Sequence, residues 1–247
     1  MDDRQLLRYS RHLLLRQIDF AGQEKLLAAH VLLIGAGGLG SPASLYLAAA
    51  GIGRLTICDG DAVDLTNLQR QILHREAGIG INKAASARSA LGELNPDCKV
   101  RAVEHRVGAA ELRELVSEVD VVVDASDNFA TRHAINKACV ASRKPLVYGA
   151  AIRFAGQLAV FDLRRDDSPC YHCLFPDETA VDNERCATMG VFAPVTGVIG
   201  TMQAGEAIRL IAEGTSPLAG QLMLFDARGM EWQSVAIPRN PHCPVCS

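Results

Sequence analysis

Apolar runs alternate with helical patterns along the first 150 residues of the chain. The apolar runs are short and nearly continuous, as expected of strands that are covered on both faces. This alternation predicts a parallel sheet built from strand–helix–strand units. The predicted strands are residues 29–34, 54–58, 99–105, 120–124 and 145–149, and the predicted helices are residues 41–50, 82–94, 110–119 and 131–142.

The pattern changes after Gly149. The segments GQLAVFDL from Gly156, GQLMLFDARG from Gly220 and EWQSVAIP from Glu231 are typical of antiparallel strands, and a glycine-bearing turn separates the last two. The second half is therefore predicted to extend the first sheet. Residues 164–190 are polar and interrupted by proline, which predicts a mobile loop over a site.

Charge and composition exclude several classes of partner. The 247 residues include 25 Lys plus Arg and 28 Asp plus Glu, and a net charge of −3 gives no broad attraction to nucleic acid or to an anionic membrane. The N-terminal MDDRQLLRYSRHLLL lacks the pattern of a secretory signal, and residues 191–212 carry Gln203, Glu206 and Arg209, which favours a buried helix over a membrane span. We therefore expect a cytoplasmic protein, in which spaced cysteine pairs indicate metal binding more often than disulfides.

A glycine turn follows the first predicted strand. The sequence GAGGLG places Gly35, Gly37 and Gly40 in the spacing G-x-G-x-x-G, with Gly38 inside it. Such glycines allow a tight turn and a close backbone approach to phosphate at a helix N-terminus, and Asp59, which follows the second strand, is suited to the ribose hydroxyls. A plain structural turn is the alternative, and the motif does not specify the nucleotide.

Candidate phosphate-binding groups follow Asp59. Asn67, Arg70 and Gln71 share one short turn, and Lys83 begins a helix. Arginine offers a planar fork to phosphate oxygens and lysine a point charge. Taken singly, Arg70 and Lys83 are equally consistent with a solvated surface.

A second group of polar residues ends the fourth predicted strand. In DVVVDASDN, Asp124, Asp127 and Asn128 lie where ligands bind in open α/β sheets, and a carboxylate there suits a Mg²⁺ ion that bridges phosphates. The alternative for Asp127 is a helix cap. No His–Asp or Tyr–Lys arrangement for hydride transfer is evident, so these groups together favour a nucleoside triphosphate over a dinucleotide.

Two C-x-x-C pairs stand far apart in the sequence, Cys170 with Cys173 and Cys243 with Cys246. Four thiolates in a tetrahedral array form a closed structural zinc site, which would hold the C-terminus against the middle of the chain. A redox-active or accidental pair is the alternative. We predict Zn²⁺ at these four cysteines, and expect Cys58, Cys98 and Cys139 to be packing residues.

These motifs resemble the family of adenylating enzymes that includes MoeB, ThiF and the ubiquitin-activating enzymes. The resemblance rests on GAGGLG, DGDAVDLTNLQRQ from Asp59, Lys83, ASDN and the two C-x-x-C pairs, and runs from Arg8 to Cys246. It implies an α/β, Rossmann-like open sheet, mostly parallel and continued by antiparallel strands, with a zinc site formed by four cysteines. We expect one domain over 1–247, comprising a helical segment 1–28, a nucleotide-binding part 29–150 and an antiparallel extension 151–247.

The resemblance also implies roles for individual residues. ATP would be held by the backbone near Gly38 and by Asp59, and Mg²⁺ by Asp127. Arg11 would reach from the partner subunit of a homodimer onto the phosphates. Together, the residue patterns and the resemblance predict the catalytic residues Arg11, Arg70, Lys83 and Asp127. They predict the nucleotide-binding residues Gly38, Asp59, Asn67, Arg70, Gln71, Lys83, Asp127 and Asn128, of which Gln71 and Asn128 rest on the residue pattern alone.

The reaction implied by this resemblance is adenylation of the C-terminal glycine carboxylate of a small ubiquitin-like sulfur-carrier protein. A MoaD-type carrier of molybdenum cofactor biosynthesis is the main hypothesis, and a ThiS-type carrier of thiamine thiazole biosynthesis the alternative. Cys186 is a candidate for a thioester or persulfide link with the carrier, or else an unreactive loop residue. No rhodanese-like domain is expected, so a sulfur donor would act in trans. An NAD-dependent oxidoreductase and a nucleotide-binding partner without catalysis are the competing hypotheses.

Overall fold

The computed structural model describes residues 1–176 and 190–247, through which one eight-stranded sheet runs. The strands are β1 His30–Ile34, β2 Arg54–Cys58, β3 Lys99–Val103, β4 Val121–Asp124, β5 Leu146–Ile152, β6 Ala155–Phe161, β7 Gln221–Asp226 and β8 Glu231–Ala236. The α-helices are α1 Asp3–Arg8, α2 Ser10–Leu13, α3 Asp19–Ala28, α4 Gly40–Ala49, α5 Lys83–Leu94, α6 Ala109–Ser117, α7 Phe129–Ser142, α8 Tyr171–Leu174 and α9 Ala193–Ala212. Short 3-10 helices occupy Leu65–Asn67 and Glu76–Gly78.

The first five strands form the parallel part of the sheet, in the order β3-β2-β1-β4-β5. Because parallel neighbours need crossovers, each consecutive pair of strands is joined through one of the helices α4 to α7. The chain runs from β1 outward to β3, and then returns to build β4 and β5 on the other side of β1. The direction of winding therefore reverses between β1 and β4, and in open sheets such a reversal creates a ligand crevice at the carboxyl ends of the two strands.

The remaining strands extend this sheet in antiparallel fashion, as the sequence predicts. Strand β6 pairs with β5, β7 with β6 and β8 with β7, so that one row across the sheet aligns Gly149, Leu158, Met223 and Ser234. Strand β5 continues to Ile152, beyond the predicted end at residue 149, because β6 folds back on it and pairs through Ile152 and Ala155.

Apolar side chains cover both faces of the parallel strands. Val31 and Leu33 of β1 join the core beneath α4, α5 and α9, whereas Leu32 and Ile34 join the core beneath α6 and α7. All five residues of β1 are buried. This double coverage explains why the central strands read as continuous apolar runs rather than as alternating patterns.

Helix α9 confirms the predicted buried helix, although it begins at Ala193 rather than at residue 191. Gln203 and Glu206 on this helix are buried together with its apolar residues. No helix within the described ranges has the length and hydropathy needed to cross a membrane.

The predicted mobile loop at residues 164–190 is only partly described. Helix α8 lies within it, so the stretch contains regular structure at Tyr171–Leu174. Residues 177–189, and with them Cys186, lie outside the described residues.

Candidate active site

The glycine turn lies at the carboxyl end of β1, in the crevice that the strand order creates. Gly35 has φ of +96°, and its N–H donates to the Cys58 carbonyl over 2.9 Å. A Cβ atom on Gly40 would lie 1.9 Å from the carbonyl oxygen of Gly35, so the turn closes too tightly for any side chain there. A Cβ atom on Gly38 would meet Thr196 of α9 at 3.1 Å, which places α9 beside the turn.

Asp59 joins the glycine turn to the end of β2. Its Oδ2 accepts the Ala36 N–H and its Oδ1 accepts the Asp61 N–H, both over 2.8 Å. Each carboxylate oxygen retains acceptor capacity, because an ionised carboxylate offers about four lone-pair positions. The predicted ribose acid is thus fixed against the turn with room for further donors.

The turn after the Leu65–Asn67 helix brings Asn67, Arg70 and Gln71 to the same place. Arg70 donates from Nη2 to Asn67 Oδ1 over 2.8 Å, and its Cγ would lie 3.4 Å from a Cβ atom on Gly38. The Nε2 atom of Gln71 would lie 3.5 Å from a Cβ atom on Gly37, and its buried Oε1 accepts no hydrogen bond from any described residue. The structure therefore places Arg70 and Gln71 against the glycine turn, and Asn67 beside Arg70.

Lys83 begins α5 and is held by Asp61. Its Nζ lies 3.2 Å from Asp61 Oδ2, and its side chain is only 8% exposed. Arg106 approaches the other carboxylate oxygen of Asp61 over 3.2 Å. Although burial acts to raise the pKa of Asp61, hydrogen bonds from Arg106 and Lys83 outweigh it and hold that pKa below its ordinary value. The Lys83 cation is thus held against a carboxylate that stays ionised.

Asp127 and Asn128 follow β4 on the other side of the crevice. Asn128, not Asp127, caps α7, because its Oδ1 accepts the Thr131 N–H over 2.9 Å. Asp127 is exposed, and its one hydrogen bond within the described ranges is a 3.4 Å contact from the Asn128 amide. The helix-cap alternative for Asp127 is therefore wrong, and its carboxylate remains available to a cation.

Arg11 lies apart from these groups in the chain. It belongs to α2, which packs on α3, and its side chain is exposed. Among the described residues, none forms a hydrogen bond or an ion pair with its guanidinium.

Two further groups at the site were not predicted from the sequence. Asp61 and Arg106 form the ion pair described above, and His74, 4% exposed, lies beneath the glycine turn. His74 Nε2 lies 2.8 Å from the Ala36 carbonyl oxygen and its Nδ1 lies 2.9 Å from Ser86 Oγ. The sequence signal that could have identified His74 is its position three residues after Gln71, in the same short segment.

The four cysteines of the C-x-x-C pairs converge at one place. Sulfur–sulfur distances are 4.0 Å for Cys170 and Cys173, 3.7 Å for Cys170 and Cys243, and 3.6 Å for Cys173 and Cys246, and all four sulfurs lie within 4.8 Å of one another. A tetrahedral site with Zn–S bonds of about 2.3 Å requires sulfur separations of about 3.8 Å, so this donor set fits zinc.

A neighbouring side chain supports the cysteine cluster. Asn136 of α7 donates from Nδ2 to Cys170 Sγ over 3.5 Å, and its Oδ1 accepts the Tyr171 N–H over 2.9 Å. Burial raises the pKa of the Cys170 thiol to about 11, so a thiolate there needs a bound cation at neutral pH. Cys58, Cys98 and Cys139 are buried elsewhere, as expected of packing residues.

Comparison with known proteins identifies the family. The model of the ThiF family matches residues 9–245, nearly the whole chain. The chain belongs to the ThiF family. Membership of this family, whose enzymes are ATP-dependent adenylyltransferases, confirms the predicted resemblance and gives no support to the oxidoreductase hypothesis.

The curated relatives include two adenylyltransferases and an activating enzyme. The chain is 47% identical to the sulfur carrier protein ThiS adenylyltransferase of Escherichia coli K12, over 100% of this chain and 97% of the relative. It is 45% identical to the molybdopterin-synthase adenylyltransferase of the same organism, over 100% of this chain and 98% of the relative. The SAMP-activating enzyme E1 of Haloferax volcanii is 44% identical over 100% of this chain and 90% of the relative.

Solved structures share the ThiF-family fold. Escherichia coli MccB crystallised with ATP is 26% identical and superposes with a TM-score of 0.81, over 92% of this chain and 69% of MccB. MccB with MccA-N7isoASN gives a TM-score of 0.84 at 25% identity, over 97% of this chain and 74% of MccB. The fold of this chain therefore resembles that of a protein crystallised with ATP.

Proposed function

We propose that the chain adenylates the C-terminal glycine carboxylate of a ubiquitin-like sulfur-carrier protein of the MoaD type, using ATP and releasing pyrophosphate. The observation that carries the proposal is the crevice between β1 and β4, where the glycine turn, Arg70 and Asp59 meet. The names of the relatives support the substrate class, since those quoted above act on ThiS, serve molybdopterin synthase or activate SAMP.

The chemistry requires positive charge more than a general base. A carboxylate oxygen of the carrier attacks the α-phosphorus of ATP, the new O–P bond forms, and the bond to pyrophosphate breaks. Two anions must approach each other, so Arg70 and Lys83 would neutralise and orient the phosphates. Arg70 is already oriented by Asn67, and Lys83 by Asp61, so little reorganisation is needed at the moment of reaction.

Asp127 would hold Mg²⁺, whose charge would offset the negative charge of the phosphates. Asp127 follows β4 and the glycine turn follows β1, and these two strands are neighbours that align Asp124 with Ile34. Gly38 would leave space for phosphate, Asn67 and Gln71 would offer amide groups, and Asp59 would accept the ribose hydroxyls. Asn128 would act mainly through its cap, which sets the direction of the Asp127 backbone.

The test is ATP–pyrophosphate exchange with each carrier separately. Exchange stimulated by a MoaD-type carrier, and abolished when its terminal glycine is removed, is the expected result. Arg70→Ala and Asp127→Ala should lower exchange by about 100-fold or more with little change in melting temperature, whereas Arg113→Ala on the exposed face of α6 should not lower it. Near-normal exchange in the first two variants would contradict the site, and no exchange with any carrier would favour a nucleotide-binding partner without catalysis.

A ThiS-type carrier is the second candidate substrate. Identity to the ThiS adenylyltransferase, at 47%, is close to the 45% identity to the molybdopterin-synthase enzyme. The segment GAAIRFAGQLAVF from Gly149 resembles the MoeB pattern more and supports the MoaD-type carrier, whereas LFPD from Leu174 and CPVC from Cys243 resemble the ThiF pattern. Stimulation of exchange by the ThiS-type carrier alone would reverse this order.

We also infer a homodimer in which Arg11 of one subunit reaches the phosphates of the other. Mixing Arg11→Ala chains with Lys83→Ala chains tests this arrangement, because a mixed dimer contains one site with both side chains intact. Each variant alone should be inactive, and the mixture should recover exchange. Failure to recover activity, with mixed dimers demonstrated, would place Arg11 in its own subunit's site or outside any site.

Residues 1–247 would form a single adenylation domain in the cytoplasm, with Zn²⁺ at the cysteine cluster in a structural role. The Cys186 thiolate would attack the carrier acyl-adenylate, forming a thioester as the bond to AMP breaks. If a separate donor protein first transferred the outer sulfur of its own persulfide to Cys186, that sulfur would make the same attack, again with release of AMP. A Cys186→Ala variant that still adenylates but fails to retain carrier covalently is the expected result.

A further inference from the structure

We propose that His74 is a positioning residue for the nucleotide site, which fixes the glycine turn through the Ala36 carbonyl without touching the nucleotide itself. This inference rests on the proposed function, because it concerns the same ATP site. His74 is 4% exposed, so its imidazole is enclosed by the protein beneath the turn. Its role is therefore in the shape of the site and not in direct binding.

The hydrogen bonds of His74 define its tautomer. The Ala36 carbonyl oxygen can only accept, so Nε2, at 2.8 Å, carries the proton and donates. Ser86 Oγ lies 2.9 Å from Nδ1 and can donate its hydroxyl hydrogen to this nitrogen. A neutral imidazole thus satisfies both partners at once.

Ala36 is held by side chains from two other parts of the chain. Its N–H donates to Asp59 Oδ2 over 2.8 Å, and its carbonyl accepts from His74. The peptide groups on either side of Ala36 are therefore both anchored, including the one that carries the N–H of Gly37. The glycines on either side of Ala36 would otherwise make the turn flexible. Because the anchored turn is already ordered, it loses less conformational entropy when it binds phosphate than an unanchored turn would.

The second hydrogen bond extends the same anchoring to α5. Ser86 lies three residues after Lys83, and positions three apart share one face of a helix. His74 therefore connects the glycine turn with the helix whose first residue carries the ammonium group. Loss of the imidazole would loosen the turn relative to Lys83 as well as within itself.

The experiment compares three substitutions at His74 by calorimetric titration with ATP and by exchange kinetics. Gln has an amide nitrogen with a reach similar to that of Nε2, so His74→Gln should bind ATP within about threefold of the wild-type chain. Asn is too short to reach Ala36, and Leu has no donor. His74→Asn and His74→Leu should therefore raise the dissociation constant and KM for ATP by about tenfold or more, with kcat at saturating ATP changed by less than about threefold.

His30 supplies a matched control for the loss of a buried histidine. It lies at the opposite end of β1 and makes the same number of ring contacts, with Nε2 2.8 Å from Thr56 Oγ1 and Nδ1 3.2 Å from the Glu118 carbonyl oxygen. His30→Leu should lower the melting temperature as His74→Leu does, but should leave the dissociation constant for ATP unchanged.

The outcomes separate the inference from the function on which it rests. His74→Asn retains a polar side chain and can be measured even if His74→Leu does not fold. An affinity for ATP in His74→Asn equal to that of the wild-type chain would overturn the positioning role. Equal loss of affinity in His30→Leu would also overturn it, because general destabilisation would then explain both. A wild-type chain that binds no ATP would instead overturn the proposed function.

Discussion

The glycine at position 40 shows how closely a single residue is constrained at this site. A Cβ atom there would lie 1.9 Å from the carbonyl oxygen of Gly35, and 2.8 Å from its carbonyl carbon. Both are backbone atoms of the turn, so neither can move aside without changing the turn. The sequence motif therefore reflects backbone packing, which is required before any nucleotide binds.

We predict that Gly40→Ala lowers the free energy of unfolding by about 3 kcal/mol, because the methyl group forces the turn away from α4. At this chain length the melting temperature should fall by about 6–12 °C. Gly92→Ala is the matched control, since Gly92 lies inside α5 with nothing within 4 Å of the added carbon. The free energy of unfolding of Gly92→Ala should be about 0.5–1 kcal/mol higher than that of the wild-type chain. Equal melting temperatures for the two variants would contradict the prediction.

Among the helices and strands, the sequence predicts the bounds most closely where both faces of a segment are buried. The continuous apolar runs predicted β1 and β2 to within one residue, because both faces of these strands are buried. Strand β5 exceeds its predicted length because its last residues pair with β6, a contact that the local pattern does not contain. Element ends depend on tertiary partners, whereas element type depends on local spacing.

In the candidate site, too, local spacing predicts some residues and tertiary contacts determine the others. Residues in the motif segments, such as Arg70 and Lys83, were predictable because their spacing is tied to one turn or one helix start. The Arg106 contact with Asp61 joins positions 45 apart, and the His74 contact with Ala36 joins positions 38 apart. Neither pair has a local signature, so only the folded chain brings them together.

Helix α8 is the element that depends most on the cysteine cluster. It has four residues, too few for a stable helix by itself, and it contains Cys173 and follows Cys170. Its support comes from Asn136 of α7 and from the C-terminal cysteines. Zinc at the cluster would therefore hold α8 and the C-terminus together.

We predict about one zinc per chain and a loss of stability when it is removed. A strong chelator, or Cys243→Ser, should lower the melting temperature by at least about 5 °C, since a loss of about 2 kcal/mol corresponds to about 4–8 °C at this size. Cys139→Ser, at a buried cysteine outside the cluster, should retain zinc. An unchanged melting temperature after complete chelation would refute a structural role for the metal.

On the scale of the whole molecule, the two ends of β1 connect the sheet to its surroundings through buried histidines. His30 at the first residue lies between β2 and the chain before β4, and His74 lies beneath the turn that follows the last residue. Burial lowers the pKa of both imidazoles, and nearby Arg54 adds to this at His30 while Lys83 adds to it at His74. Both histidines are therefore neutral in the folded chain at neutral pH.

The lowered pKa values of His30 and His74 make the fold sensitive to mild acid. Both histidines titrate near 6.5 when unfolded and lower when folded, so the unfolded chain binds protons first as pH falls below 6.5. The neutral imidazoles contribute fully to the free energy of unfolding above pH 6.5. This contribution declines as the pH falls toward the pKa values of the two histidines in the folded chain. We expect the free energy of unfolding from urea titrations to fall between pH 7 and pH 5.5, and to fall less steeply in the double variant His30→Gln with His74→Gln. Protonation of cysteine ligands would affect both chains alike, so an equal decline in the two would show that the histidines are not responsible.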